Sequence, residues 1–266
     1  MSRALRSLAF LVGACLAPPS AGAAQTGDAL ARRIAESGGE RVAFRFAVED
    51  DVTVCENGFS RGETDDGSYW GRGTRSRRSC PGGPLEVVVV RGQHGVSEMD
   101  MGPAGEHPHD VDIGLVEAGE ASAWLLTLHA RGASDEVAEE ALVGAVVARG
   151  VEPARRLLEL ARDGGVPGDL RRSALFWVSD EAARGIDTAL AGIAGDAAED
   201  QEVRDAAVFA LSRRESAPSV TALMDLARSA PHAQTRRSAL FWLSQSDDER
   251  VPDFFAGLIL GNEGRS

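Results

Sequence analysis

Two short stretches contain residue types that could carry chemistry. Residues 58–62 match the G-x-S-x-G pattern, in which a strained turn between a buried strand and a helix exposes a nucleophilic serine, here Ser60. The residues that follow are rich in Gly and Asp and predict a loop, so we expect no such turn. His107 and His109 flank a proline before Asp110, but they lack further ligands at any recognised metal-binding spacing. A solvated turn is the simpler interpretation.

Other catalytic devices are missing from the sequence. All 28 basic residues are arginine, so neither a Schiff-base lysine nor a phosphate-loop lysine can form. Patterns such as Cys-x-x-Cys or His-Glu-x-x-His do not occur. We therefore predict a protein that is not an enzyme, with no catalytic, cofactor-binding or metal site. Because the 41 acidic residues give a net charge of −13, binding to nucleic acid or to anionic lipid is disfavoured.

The first 23 residues predict a signal peptide. Arg3 and Arg6 precede an apolar stretch at residues 8–17, and a small-x-small cleavage site ends at Ala23. The expected location is the periplasm or the exterior. Alternatively, Cys15 ends a small-residue box of the lipoprotein type, and lipidation there would be the only membrane attachment.

A small β-rich module is predicted at residues 38–116, after a linker or short helix at residues 24–37. Alternation predicts a half-buried strand at residues 41–48, with Val42 and Phe44 on its apolar side. Residues 84–91 and 96–101 form a predicted hairpin, and residues 110–115 a further strand. In an oxidising compartment Cys55 and Cys80 are expected to pair across a polar loop. The alternative is two unpaired cysteines.

The C-terminal half repeats itself. The heptapeptide RRSALFW at residues 171–177 recurs at residues 236–242, and a degenerate copy lies midway at residues 203–212. Apolar residues in these copies recur at helical spacing, and a second apolar pattern lies between them. Each repeat is therefore predicted to hold two helices, A and then B. Because helices of about three turns are marginal alone, they are expected to stack.

This pattern resembles the short bacterial HEAT repeats, including those called phycobilin-lyase-like. The resemblance rests on V-R-x-A-A-x-x-A-L at residues 203–211 and covers roughly residues 134–262, behind a connecting helix at residues 117–133. It implies a C-terminal α-solenoid of HEAT-like helix pairs. Together with the disulfide-linked β-rich module before it, the expected fold class is α+β. The resemblance also implies a polar ladder of helix-B arginines at Arg171, Arg204 and Arg236. The acid that precedes this arginine in the pattern is replaced by Gln234 in the last copy.

Two surfaces are candidates for binding a partner. Four consecutive apolar residues in each helix B encircle the helix, and two interpretations of the outward ones remain. They fill seams between adjacent B helices, which we favour, or they grip a partner segment. The residues concerned are Arg172, Phe176, Phe209, Arg237 and Phe241. The second surface is the last helix, where no helix B follows. Part of its apolar set is expected to be exposed and adhesive, with Phe254, Phe255 and Leu258 as the main candidates beside Ile259 and Leu260.

We therefore expect an exported, non-enzymatic scaffold that binds a protein or peptide. The alternatives are an enzyme of the bilin-lyase type, by the resemblance, and small-ligand binding by the β-rich module. Repeat architecture alone does not imply an activity.

Overall fold

A computed structural model describes residues 21–56, 58–61, 68–71, 80–93, 95–179, 185–214 and 216–260. It begins with a helix, α1 (Ala21–Glu36), where a linker or short helix is predicted. Leu30 and Ile34 of α1 are buried, and α1 packs against the helix that follows the strands. Most of the predicted signal peptide, with Cys15, lies outside the described residues.

The described strands form two sheets. In chain order they are β1 (Arg41–Phe46), β2 (Val52–Cys55), β3 (Gly58–Arg61), β4 (Ser68–Gly71), β5 (Leu85–Arg91), β6 (Val96–Pro103) and β7 (Val111–Leu115). One sheet has the order β6-β5-β1-β7, and the other has the order β2-β3-β4. β7 runs parallel to β1, whereas β5 and β6 form the antiparallel hairpin that the sequence predicts.

The four-stranded sheet has two different faces. Val42, Phe44 and Phe46 of β1 are fully buried on the inner face. On the outer face the connection from β6 to β7 crosses the sheet. β6 ends level with the end of β1, on the far side of β5, and β7 starts beside the beginning of β1. The buried carboxylate of Glu86 accepts a hydrogen bond from the Gly105 backbone at 3.0 Å and pairs with Arg45 at 3.4 Å. This crossing segment contains the His107 to Asp110 stretch.

The smaller sheet contains the predicted disulfide. Cys55, at the end of β2, is bonded to Cys80. The prediction of a simple loop between them is wrong, since β3 and β4 lie in this interval. Polar composition hid these strands. β3 pairs with β2, and β4 pairs with β3, which supplies the hydrogen bonds that stabilise them. Ser60 lies within β3, opposite Thr53 and Tyr69, rather than on a turn that leads into a helix.

The rest of the described chain is helical. The helices are α2 (Ala118–Leu125), α3 (Asp135–Val146), α4 (Ala154–Arg162), α5 (Gly168–Val178), α6 (Ile186–Gly195), α7 (Gln201–Arg213), α8 (Ala217–Ser229), α9 (Ala233–Leu243) and α10 (Val251–Leu260). A short 3₁₀ helix, His129–Arg131, lies between α2 and α3. Helices α4, α6, α8 and α10 coincide with the predicted A helices, and α5, α7 and α9 coincide with the predicted B helices.

The helices pack as pairs and then as rows. α4 contacts α5, α6 contacts α7, and α8 contacts α9. α3, α5, α7 and α9 each contact the next in this series, and α6 contacts both α4 and α8. The predicted apolar side of α7 is buried at Val203, Ala207 and Ala210. Each pair thus removes from water an apolar face that a three-turn helix cannot bury alone.

The hydrophobic core is continuous from the sheet into the helices. α3 packs on β6 so closely that a Cβ on Gly144 would lie 2.9 Å from the sulfur of Met101. Backbone hydrogen bonds of 2.9 Å also join Glu49 to Val147 and Arg149 to Ala47. The four-stranded sheet is therefore not clearly a separate module, in contrast to the expectation from sequence. Among the described residues, no helix combines the length and apolar character that crossing a bilayer requires.

Candidate binding surface on the B helices

An aromatic side chain recurs at one position of each helix B. Phe176, Phe209 and Phe241 occupy this position in α5, α7 and α9. Phe176 and Phe209 are half-buried, whereas Phe241 is 57 % exposed. We call these three residues, together with Trp242, the aromatic row. On the inward side of these helices, Ala174 and Ala210 are fully buried. The aromatic row therefore lies on the outer side of the buried face of the B helices.

Two of these rings hold a cation of the chain itself. The guanidinium carbon of Arg213 lies 5.3 Å from the ring centre of Phe176 and 5.9 Å from that of Phe209. Both distances are within the range of a cation–π interaction. Arg213 also donates a hydrogen bond from Nε to the hydroxyl of Ser179 at 3.2 Å. Arg213 therefore links α7 to α5 across the space between them.

The next contact along the row is purely aromatic. The Phe209 ring lies 5.1 Å from the Trp242 ring of α9, and Trp242 contacts Phe241 edge-on at 5.0 Å. Phe209 therefore packs in a seam between B helices while part of its surface remains accessible. Both interpretations of the sequence describe part of this arrangement, and the position of these residues does not decide between them.

A cleft of about 520 Å³ opens beside the Phe209–Trp242 contact. Its walls include Arg213, Gln245, Asp247 and Asp248, with Val220 and Leu223 below. Gln245 occupies in the third repeat the position that Arg213 occupies in the second. The cleft thus combines aromatic surface with carboxylates and amide groups from the loop that follows α9.

The two carboxylates of this loop differ in their environment. Hydrogen bonds from the side chain and the backbone of Arg250 lower the pKa of Asp248 to about 2. The Arg250 Nε donates to Asp248 at 2.8 Å, which also orients the start of α10. Asp247 is exposed and forms no ion pair with another residue in the described part of the chain. Asp248 is therefore ionised near neutral pH and paired with Arg250, whereas Asp247 has no such partner among the described residues.

The two arginines predicted for this surface lie at the other end of the B helices. Arg172 forms ion pairs with Asp169 and, at 2.7 Å, with Glu202 of α7. Arg237 is exposed and donates to the side chain of Gln234 at 2.7 Å. Arg172 thus joins neighbouring helices, and it lies apart from the cleft.

The predicted ladder arginines bind the loops between helix A and helix B, and one of them also reaches the next pair. Arg171 is 3 % exposed, donates to the carbonyl of Ala161 at 2.8 Å and forms an ion pair with Glu199. Arg204 donates to the backbone of Glu199, and Arg236 donates to the backbone of Ala230 at 2.6 Å. Arg171 and Arg236 therefore satisfy carbonyl groups where helix A ends, and Arg204 satisfies one in the loop just before α7. Only Arg171 pairs with a carboxylate of the next repeat among the described contacts.

The last helix exposes part of the apolar set expected from the sequence, but the candidate Phe254 is buried. Phe254 is 5 % exposed and lies under the guanidinium of Arg228 at 4.7 Å, so it cannot be adhesive. Phe254 is buried because the first turns of α10 pack against the preceding helices. Phe255 and Leu258 are half-buried. Ile259 and Leu260, at 83 % and 75 % exposure, are the exposed apolar side chains of α10.

The two stretches that could carry chemistry lie in different parts of the sheets: Ser60 is in β3, and His107 and His109 are in the segment between β6 and β7. His109 contacts the backbone of His107 at 3.1 Å within the segment that crosses the sheet. In the described ranges no three His, Cys, Asp or Glu side chains are grouped so that they could hold a metal ion. Residue 62 of the serine motif lies outside those ranges, as does His94.

Sequence reasoning missed Arg213, Trp242 and Asp247. Arg213 follows Phe209 by four residues in α7, and this spacing alone places the two side chains on one face. That Arg213 also reaches Phe176 depends on how α5 and α7 pack. Comparisons of the chain with family models, curated proteins and solved structures found no match.

Proposed function

We propose that the protein is a non-enzymatic scaffold that binds a protein or peptide along the aromatic row. The observation that supports this proposal is the recurrence of an aromatic side chain at one position of three successive B helices, with its exposure greatest at Phe241. Aromatic side chains that keep accessible surface are common anchors at protein interfaces. A row of them at the spacing of the repeat would contact an extended segment at several points.

We further propose that the helix pairs form a HEAT-like solenoid. The support is the repeated contact between successive B helices, together with the V-R-x-A-A-x-x-A-L pattern at residues 203–211. In such a stack each repeat contacts only its neighbours, and the surface that runs along the stack is the usual binding surface. The aromatic row lies along this direction.

Export by a signal peptide is part of the proposal. The disulfide between Cys55 and Cys80 is typical of an oxidising compartment outside the cytoplasm. Cleavage after Ala23 would leave Leu30 and Ile34, the buried side chains of α1, on the mature chain. Signal processing and the packing of α1 are therefore compatible.

Site-specific photocrosslinking in the native host tests the proposed surface. A photoreactive phenylalanine analogue replaces Phe241, and a matched variant carries it at Asp225, an exposed residue of α8. We expect a defined covalent adduct from position 241 and none from position 225. Equal labelling at both positions, or no adduct at position 241, would contradict a partner-binding role for the aromatic row.

A further inference from the structure

The geometry points to a ligand class for the cleft between Phe209 and Trp242: we propose that it binds an arginine side chain of a basic partner segment. This inference rests on the proposed function and specifies the partner's chemistry. The cleft lies one repeat beyond the position where Arg213 rests on two rings.

Arg213 provides an intramolecular precedent. Its guanidinium lies over Phe176 and Phe209, which shows that the spacing of successive B helices brings two rings to a cation. The equivalent residue in the third repeat is Gln245, which is neutral and exposed. The rings equivalent to Phe176 and Phe209 are those of Phe209 and Phe241, and Trp242 contacts both of them. Position 245 therefore supplies no cation to these rings. Phe209 and Trp242 border the cleft, and Phe241 is 57 % exposed.

The net charge of the whole chain, rather than the charge of the cleft itself, favours a cationic occupant over an anionic one. Asp247 presents an exposed carboxylate at the cleft, and it forms no ion pair within the described ranges. Arg213 also lines the cleft, and Arg250 compensates Asp248, so the cleft itself is close to neutral. The net charge of −13 attracts a basic segment at long range. At short range, the aromatic faces and the Asp247 carboxylate then favour its arginine side chain over a neutral or acidic one.

The indole N–H resonances of the four tryptophans offer a local readout. The ¹⁵N-labelled full chain is titrated with N-acetylated hexaarginine amide, and the Trp242→Phe variant identifies the resonance of Trp242. We expect this resonance to shift and saturate. Hexacitrulline, whose side chains are neutral and nearly isosteric, should bind at least about tenfold more weakly, because it lacks the charge. Hexaglutamate should cause no shift.

Two variants with matched controls test the cleft itself. Gln245→Arg places a cation of the chain where Arg213 lies in the preceding repeat, and we expect it to weaken hexaarginine binding at least about tenfold. Gln234→Arg adds the same charge at an exposed site near the start of α9 and should weaken binding less than about twofold. Asp247→Asn should weaken binding several-fold, whereas Asp253→Asn, the same change on α10, should have little effect.

Three other outcomes would contradict the proposed arginine site, each for a different reason. If hexacitrulline shifts Trp242 as strongly as hexaarginine, the cleft accepts neutral peptides, so the cationic class is wrong while the proposed scaffold function remains. If Asp253→Asn and Asp247→Asn weaken binding equally, the association is only a general charge effect. If no peptide shifts Trp242, the cleft is not the binding site, and an adduct at position 241 would then support the scaffold function through another contact.

Discussion

The guanidinium of Arg171, on the second turn of α5, forms a buried ion pair with Glu199, which lies in the loop before α7. The side chain of Arg171 is 4 % exposed and that of Glu199 is 12 % exposed. Because Arg171 also donates to the carbonyl of Ala161, this one side chain connects α4, α5 and the next helix pair. The contact joins residues 28 positions apart and ties adjacent repeats together.

Replacing Arg171 by methionine should destabilise the protein strongly. The substitution leaves the Glu199 carboxylate buried without its cation, and loss of one partner of a buried pair costs about 3–5 kcal/mol. Urea denaturation measures the change in the free energy of unfolding. Arg237→Met, the same substitution at an exposed helix-B arginine, should change it by no more than about 0.5 kcal/mol. If Arg171→Met costs no more stability than Arg237→Met, the Arg171–Glu199 pair contributes little to the free energy of unfolding.

Alanine substitutions of three phenylalanines should rank by burial. Phe254→Ala removes a ring that is 5 % exposed and should cost about 3–5 kcal/mol. Phe209→Ala should cost about 1–3 kcal/mol, because its ring is half-buried against Trp242. Phe241→Ala should cost less than about 1 kcal/mol, since 57 % of the residue is already exposed. A loss at Phe241 as large as that at Phe254 would show that its ring is a core residue.

The disulfide should stabilise the β-rich part of the chain. Loop-entropy arguments for a bridge across 25 residues predict a contribution of about 3 kcal/mol, which is lost in the Cys55→Ala, Cys80→Ala double variant. Denaturation curves with and without a phosphine reductant measure it. The reductant should shift the curve of the native sequence and leave that of the double variant unchanged. A reductant-insensitive native curve would contradict a stabilising role.

Asp187 should make stability depend on pH in acid. Burial raises the pKa of its carboxyl, but hydrogen bonds from Ser219 and Arg214 outweigh this and lower the pKa below its usual range. Its contribution is therefore fully present above the unfolded value of about 3.9, and it is lost as the pH falls through the folded-state pKa. At pH 7, Asp187→Asn should cost about 1–3 kcal/mol.

The control for this pH dependence is Asp253→Asn, which alters an exposed carboxylate of α10. Denaturation series at several pH values compare the two variants with the native sequence. The difference between native protein and Asp187→Asn should shrink below about pH 3.9, whereas Asp253→Asn should follow the native curve throughout. A cost of Asp187→Asn that stays constant down to the lowest pH would exclude the ionised carboxylate as its origin.

Mass spectrometry of the protein from its native host distinguishes the two interpretations of the N-terminus. Signal cleavage predicts a chain that begins at Ala24 or Gln25 and lacks Cys15. Lipidation would instead give a chain that begins at a modified Cys15. An intact chain that begins at Met1 would contradict both.

The sequence alone determined the features that depend on local pattern. The period of the repeat, the paired helices and the buried side of each helix B follow from apolar residues at helical spacing, because a helix presents every third or fourth residue to the same side. The strands at Arg41–Phe46 and Leu85–Arg91 follow from alternation and from a β-branched run. The disulfide was predicted from two cysteines and from the oxidising compartment that the expected signal peptide implies.

Only the tertiary structure decided which surfaces meet. β3 and β4 escaped prediction because their stability comes from partner strands rather than from their own composition. Phe254 is buried, and Ile259 is not, because only the first turns of α10 reach the preceding helices. Likewise Arg213 lies over Phe176 through the packing of α5 against α7. Periodicity specifies the face that a helix buries, whereas the identity of its neighbours depends on contacts between residues far apart in the chain.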